Sequence, residues 1–179
     1  MSSGPGLNGV DLVGSRAIAA RFAAAPDSGR VPFGARVHWQ GGYRTEVRFD
    51  EHDAIAADEP VALAGGGSGP SPEELLLGAI GHCIAVGWAG SAAAHGVELT
   101  SLTVAAHGRV NLPAAYGVAD GHPGFEAIDV EVAVEAPGAP SELLDRIHAR
   151  VVAQAPIPNT VAAPTPVTVQ RTGGIAAIP

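Results

Sequence analysis

The chain has 179 residues, of which 46% are hydrophobic and 16% charged, a length and composition that suit one domain with a proper core and leave little for a second. With 10 basic against 18 acidic residues, the net charge of −8 repels phosphate backbones and anionic membrane surfaces, so neither nucleic acid nor a membrane is an expected partner. No basic start followed by an apolar run suggests a secretory leader, and a single cysteine cannot build a disulfide framework, so a reducing, cytoplasmic setting is expected.

In chain order, residues 1 to 9 are rich in Ser, Gly and Pro and read as a loose segment. The Ala-rich stretch Val10 to Ala25 predicts a short helix ended by Pro26-Asp27-Ser28-Gly29. Ala35 to Gln40 and Tyr43 to Phe49 alternate across Gly41-Gly42, the pattern of a β-hairpin. Ile55 to Ala64 reads as a further edge strand, and Gly65-Gly66-Gly67-Ser68-Gly69-Pro70 as a flexible loop.

Ser71-Pro72-Glu73-Glu74 combines a capping serine, a proline at the first helical position and a glutamate three residues after the cap, which is a reciprocal capping box. The helix is expected to run to about His95, with Gly96 as its left-handed stop, over roughly 36 Å. Leu75, Leu76, Leu77, Ile80, Ile84, Val86 and Trp88 leave almost no polar face, which predicts burial on most sides. A membrane span is the competing explanation at this length; His82, the internal glycines and the uncharged far flank speak against it.

Leu99 to Asn111 and Phe125 to Ala136 alternate as strands, joined by a Pro- and Gly-rich linker. Ser141 to Gln154 forms a second helix with Leu144, Ile147, Val151 and Val152 on one face, stopped by Pro156 and Pro158. Thr165 to Arg171 reads as a last strand. The order of elements predicts an α+β fold, with antiparallel sheets wrapped around a long central helix.

Cys83 is the one cysteine, in mid-helix among alanine, isoleucine and glycine. It is either an inert packing residue or a reactive thiol, and the second reading needs a cation nearby to hold a thiolate. His82 is adjacent in sequence but diverges by about 100° on a helix, so a solvent or interface role is the simpler one for it. Arg36, Arg44 and Arg48 are the strand-borne cations that can face a thiol; Arg44 stands just after the Gly41-Gly42 turn. Glu73 has an ordinary explanation as an acidic group at a helix N-terminus. The seven histidines show no paired ligand spacing, no Gly-x-Ser-x-Gly elbow occurs, and Gly65 to Gly69 lacks the Lys-Ser/Thr of a phosphate loop. Neither a metal nor a cofactor is expected.

Asp58-Glu59-Pro60 and the run from Gly69 through Ser71-Pro72-Glu73-Glu74 to Gly81-His82-Cys83 resemble the signature of the OsmC/Ohr family of thiol peroxidases. Trp39-Gln40-Gly41-Gly42-Tyr43-Arg44, Ala94-His95-Gly96-Val97-Glu98-Leu99 and Pro123-Gly124-Phe125 follow the same family in order. The resemblance implies an N-terminal extension with a short helix over 1–30, an OsmC-like domain over 31–171 and a tail over 172–179. It also implies an intertwined homodimer, with Cys83 as the peroxidatic cysteine, Glu73 as the acid that pairs with the catalytic arginine, and Arg44 as that arginine. Glu73 and Cys83 are ten positions apart, about 15 Å along a straight helix. Either a partner helix from a second subunit or a break near Gly78 or Gly81 is therefore expected to bring carboxylate and thiol together.

The family's two-cysteine members carry a resolving Cys-Pro pair after the second helix, where this chain has Ala155-Pro156. An external thiol reductant is then required to rescue a sulfenic acid at Cys83. The expected activity is reduction of small organic hydroperoxides, with Leu76, Ile80, His82, Ile84 and Trp88 as substrate-binding residues. Other thiol chemistry in the same pocket, such as acyl transfer, hydrolysis or a biosynthetic step, and non-catalytic binding of small apolar ligands are the alternatives.

Overall fold

The computed structural model describes residues 6–173. Its elements are helix α1 (Leu12–Ala24), strands β1 (Arg36–Gly41), β2 (Arg44–Phe49) and β3 (His52–Ala57), helix α2 (Pro72–Ala94), strand β4 (Ser101–Val110), the short helix α3 (Leu112–Ala115), strand β5 (Phe125–Glu135), and helices α4 (Ser141–Gln154) and α5 (Pro156–Ala162). Strands β1-β2-β3 form one antiparallel sheet and β4-β5 a second. The fold is α+β, with antiparallel sheets and one long helix, as the order of patterns predicts. Two compact units divide the chain, one drawn from Met1–Arg16 and Leu77–Thr165, the other from Ala17–Leu76 and Pro166–Pro179.

In the first unit, the apolar stripes of α2 and α4 meet in a core of Ile84, Trp88, Ala92, Val97, Ile147, Val151 and Ala155, flanked by Leu102 and Val104 of β4 and Val132 and Val134 of β5. Gly87 permits the close approach of the two helices, because a Cβ there would stand 3.0 Å from a Val151 methyl. The end of α2 is a Schellman-type stop: Gly96 adopts φ +71°, and the Val97 amide donates to the Ala92 carbonyl at 2.9 Å. Asn8 docks just beyond it. Its side-chain amide donates to the Val97 carbonyl and accepts from the Leu99 amide, both at 2.9 Å, so residues 6–9 are held rather than loose. The rest of that predicted loose segment, residues 1–5, lies outside the described residues.

In the second unit, β1 and β2 are joined through Gly42 and Tyr43, one position later than the sequence suggests, with Gly41 kept in the strand at φ +101°. The register Val37↔Val47↔Ile55 and Trp39↔Thr45 places Val37, Trp39, Val47 and Ile55 on one face of the sheet. Strand β3 begins earlier than expected and stops at Ala57, where the chain turns into a loop that closes on itself.

Three further expectations need correction. The glycine run 65–69 is not flexible: the Gly65 amide donates to the Pro60 carbonyl, the Gly67 amide to the Glu59 carbonyl, and a Cβ on Gly65 or Gly69 would collide with the carbonyl of Glu59 or of Ala56. Pro156 ends α4 but also starts α5, because a proline at the first helical position lacks only an amide that has no partner there anyway. Thr165 to Arg171 forms no strand; Val167 and Val169 are 83% and 90% exposed, since the segment finds no sheet edge to pair with.

Candidate active site

The first turn of α2 is built as its sequence dictates. The Ser71 amide donates to Glu74 Oε2 at 2.8 Å and the Glu74 amide donates to Ser71 Oγ at 3.3 Å, the two arms of a capping box. Glu74 is thereby engaged in the cap, which leaves Glu73, half-buried in the preceding position, outside it. From Pro72 to Ala94 the helix is uninterrupted, so no break at Gly78 or Gly81 shortens the path between Glu73 and Cys83 within one chain.

Cys83 is half-buried and packs against the Ile84-Trp88-Ala92 core cluster. One turn before it, Ile80 is buried and lines an open groove of about 430 Å³ with Phe125, Ala127, Ile128 and Val130 of β5 and Pro158, Val161 and Ala162 of α5. The walls are apolar apart from Glu126. Ile84 and Trp88 lie in the core itself, and the Trp88 ring stands 6.0 Å from that of His148. His82 is exposed, and Leu76 is half-buried in the other unit.

Arg44 opens β2 and is exposed. With Gln40, Thr45, Glu46, Ala56, Ala57 and Ser68 it lines a cavity of about 340 Å³. Among the described residues, Arg44 makes no ion pair; Arg48 pairs with Glu46 instead. Arg44 and Glu73 belong to one unit and Cys83 to the other.

Around the helix start, four carboxylates gather, two of them with no role in the sequence reading. Glu59 is pushed above its ordinary pKa, first by burial and then by the negative charges of Glu73, Asp58 and Glu74. Asp58 is buried too, which pushes its pKa up, but the hydroxyl and amide of Ser68 and the amides of Gly66 and Glu59 all donate to it and hold it below its ordinary value. The one sequence signal for these residues is their place in Asp58-Glu59-Pro60. No group of three His, Cys, Asp or Glu side chains among the described residues is arranged to hold a metal ion.

By length and composition α2 is apolar enough to cross a membrane, with a mean hydropathy of 1.5 and 28% of its most apolar window buried. The core helix of a globular fold has the same length and composition. In the single chain α2 is buried on fewer sides than its sequence predicts, with Ile80, Ile84 and Trp88 covered and Val86 open. Comparison with known proteins gives a globular fold. The OsmC-like protein family model matches residues 65–170, more than half of the chain. No curated protein matches it. Among solved structures, an OsmC-like protein from Mycoplasma pneumoniae superposes with a TM-score of 0.62 at 16% identity, over 74% of this chain and 89% of that one. An organic hydroperoxide resistance protein OsmC from Legionella pneumophila gives 0.56 at 17% identity, over 74% and 90%. The organic hydroperoxide resistance protein of Elizabethkingia anophelis gives 0.55 at 17%, again over 74% and 90%. At these identities the structures share a fold, and the family match over the glycine loop, the capped helix, the lone cysteine and both later strands settles membership: the chain belongs to the OsmC-like protein family.

Proposed function

We propose that this protein reduces organic hydroperoxides through Cys83, as a cytoplasmic homodimer that draws its reducing equivalents from an external thiol. The observation that carries this reading is the half-buried Cys83 on an unbroken helix, one turn from an apolar groove lined by Ile80. The thiolate attacks the distal peroxide oxygen, the O–O bond breaks, and the alcohol leaves with a proton as the sulfur becomes a sulfenic acid. A first external thiol condenses with it to a mixed disulfide and water; a second releases the external disulfide and restores Cys83. Arg44 stabilises the charge developing on the peroxide, Glu73 orients Arg44, and the apolar groove lined by Ile80, Phe125 and Val130 selects an alkyl body.

The second copy is part of the reading. Because α2 is continuous, Glu73 reaches a thiol only on a partner's antiparallel α2. Surfaces left open in one chain support such a partner: Val86 on α2 is 57% exposed, and Trp39 on the apolar face of β1-β2-β3 is 74% exposed. The test is steady-state consumption of cumene hydroperoxide with a small dithiol as reductant. Wild type is expected to turn over, Cys83→Ser to lose at least about 1,000-fold, and Arg44→Ala about 100-fold. Turnover that persists in Cys83→Ser contradicts the reading.

A further inference from the structure

The Asp58 carboxylate has no part in the chemistry just described, yet it is 2% exposed and fully engaged. Oδ1 accepts from the Glu59 amide at 2.9 Å, and Oδ2 accepts from the Ser68 amide at 3.1 Å and from Ser68 Oγ at 2.8 Å. The Gly66 amide donates as well. The surrounding loop is shaped to allow this: a Cβ on Gly66 would stand 2.8 Å from Oδ2, and Gly67 turns at φ +63°. The Asp58 amide closes the loop by donating to the Pro70 carbonyl at 3.2 Å, next to the Ser71 cap.

A buried carboxylate that accepts so many donors fixes the position of each. Ser68, held by both its amide and its hydroxyl, is a wall of the Arg44 cavity; Ala57, the residue before Asp58, is another. The strand register leads to the same place. Thr45, the residue after Arg44, pairs with Ala57, the last residue of β3, and Asp58 follows Ala57 directly. With its oxygens committed to the loop, Asp58 shapes the space beside the guanidinium rather than neutralising it.

We propose that Asp58 is a positioning residue for Arg44: by binding Ser68, Gly66 and Glu59 it fixes the loop that walls the Arg44 cavity. The inference rests on the reading of Arg44 as the group that meets the peroxide. Asp58→Asn presents an NH2 where backbone donors converge, so the loop must shift while side-chain volume is kept.

The experiment is a double-mutant cycle on the rate at which cumene hydroperoxide converts Cys83 to sulfenic acid. Asp58→Asn is expected to slow it about tenfold, and Ser68→Ala about threefold, with iodoacetamide alkylation of Cys83 unchanged. In an Arg44→Ala background, both losses vanish. Losses that persist there in full overturn the proposal, because a general structural defect does not depend on Arg44. Ser68→Ala carries the same decision if Asp58→Asn does not fold. If wild type forms no sulfenic acid, the proposed function fails, and the positioning role is decided by NMR: Ser68→Ala or Asp58→Asn should shift the Arg44 Nε–H resonance together with the loop amides. An unmoved Arg44 signal overturns it.

Discussion

Residues 58–71 and residues 165–171 both lie outside helix and strand for most of their length, yet they are held in opposite ways. The first stretch wraps its amides around one buried carboxylate and ends in a cap that starts α2. The second has no helix or strand, and Val167 and Val169 are turned to solvent. What holds a segment here is the partner its backbone finds: the loop carries its own in Asp58, whereas an alternating segment needs a sheet edge.

The largest expected effect that sharpens this contrast is steric. Gly65→Ala or Gly69→Ala forces a methyl onto backbone that cannot yield, and each should cost about 2 to 3 kcal/mol in thermal or urea unfolding. Val167→Thr with Val169→Thr should change stability by less than about 0.5 kcal/mol. A loss at 167 and 169 as large as that at Gly65 breaks the contrast and means that another chain covers the segment.

Amide exchange draws the same line residue by residue. The Ser68 amide, bonded to Asp58, is expected to exchange orders of magnitude more slowly than those of Val167 and Val169, measured by NMR in deuterium oxide. Protection at 167–169 equal to that at Ser68 identifies a strand partner.

Acid should loosen the loop before the core. The folded-state pKa of Asp58 lies below its unfolded value, so the stability it contributes is complete above the ordinary aspartate range and is lost as pH falls through the lowered value, from about pH 4 downward. Wild type and Asp58→Asn should therefore differ at pH 7 and converge as pH drops through that window in denaturant titrations. Glu59 has the opposite sign. Its raised pKa means that ionisation disfavours the fold, so Glu59→Gln should raise the melting temperature slightly at pH 7, and the gain should fade as pH falls through the raised value.

Elements set by local rules were legible in the sequence. Ser71 and Glu74 announce the start of α2, Gly96 its end, and the stripe of Leu144, Ile147 and Val151 gives α4 with both bounds, Ser141 and Gln154. Elements set by distant partners were not. Gly65 to Gly69 has the composition of a linker, and nothing in that composition announces that Asp58, seven to eleven residues earlier, gathers its amides. Pro156 carries two meanings, and only the break at Ala155 separates them. The same division runs through the site. Cys83 stands out because it is alone, and Glu73 and Arg44 through family resemblance. Asp58 gains its properties from burial and the hydrogen bonds of the loop, and Glu59 from burial and the charges of Glu73, Asp58 and Glu74, all of which follow from how the loop closes.

Under the proposed function, Cys83 itself takes the peroxide oxygen. Intact-protein mass after one equivalent of cumene hydroperoxide, with a sulfenic-acid trapping reagent present, tests it most directly. A single trapped adduct on Cys83 in wild type and none in Cys83→Ser is the expected result. A thiol that iodoacetamide alkylates in the folded protein but that hydroperoxide leaves unoxidised would contradict a peroxidatic Cys83.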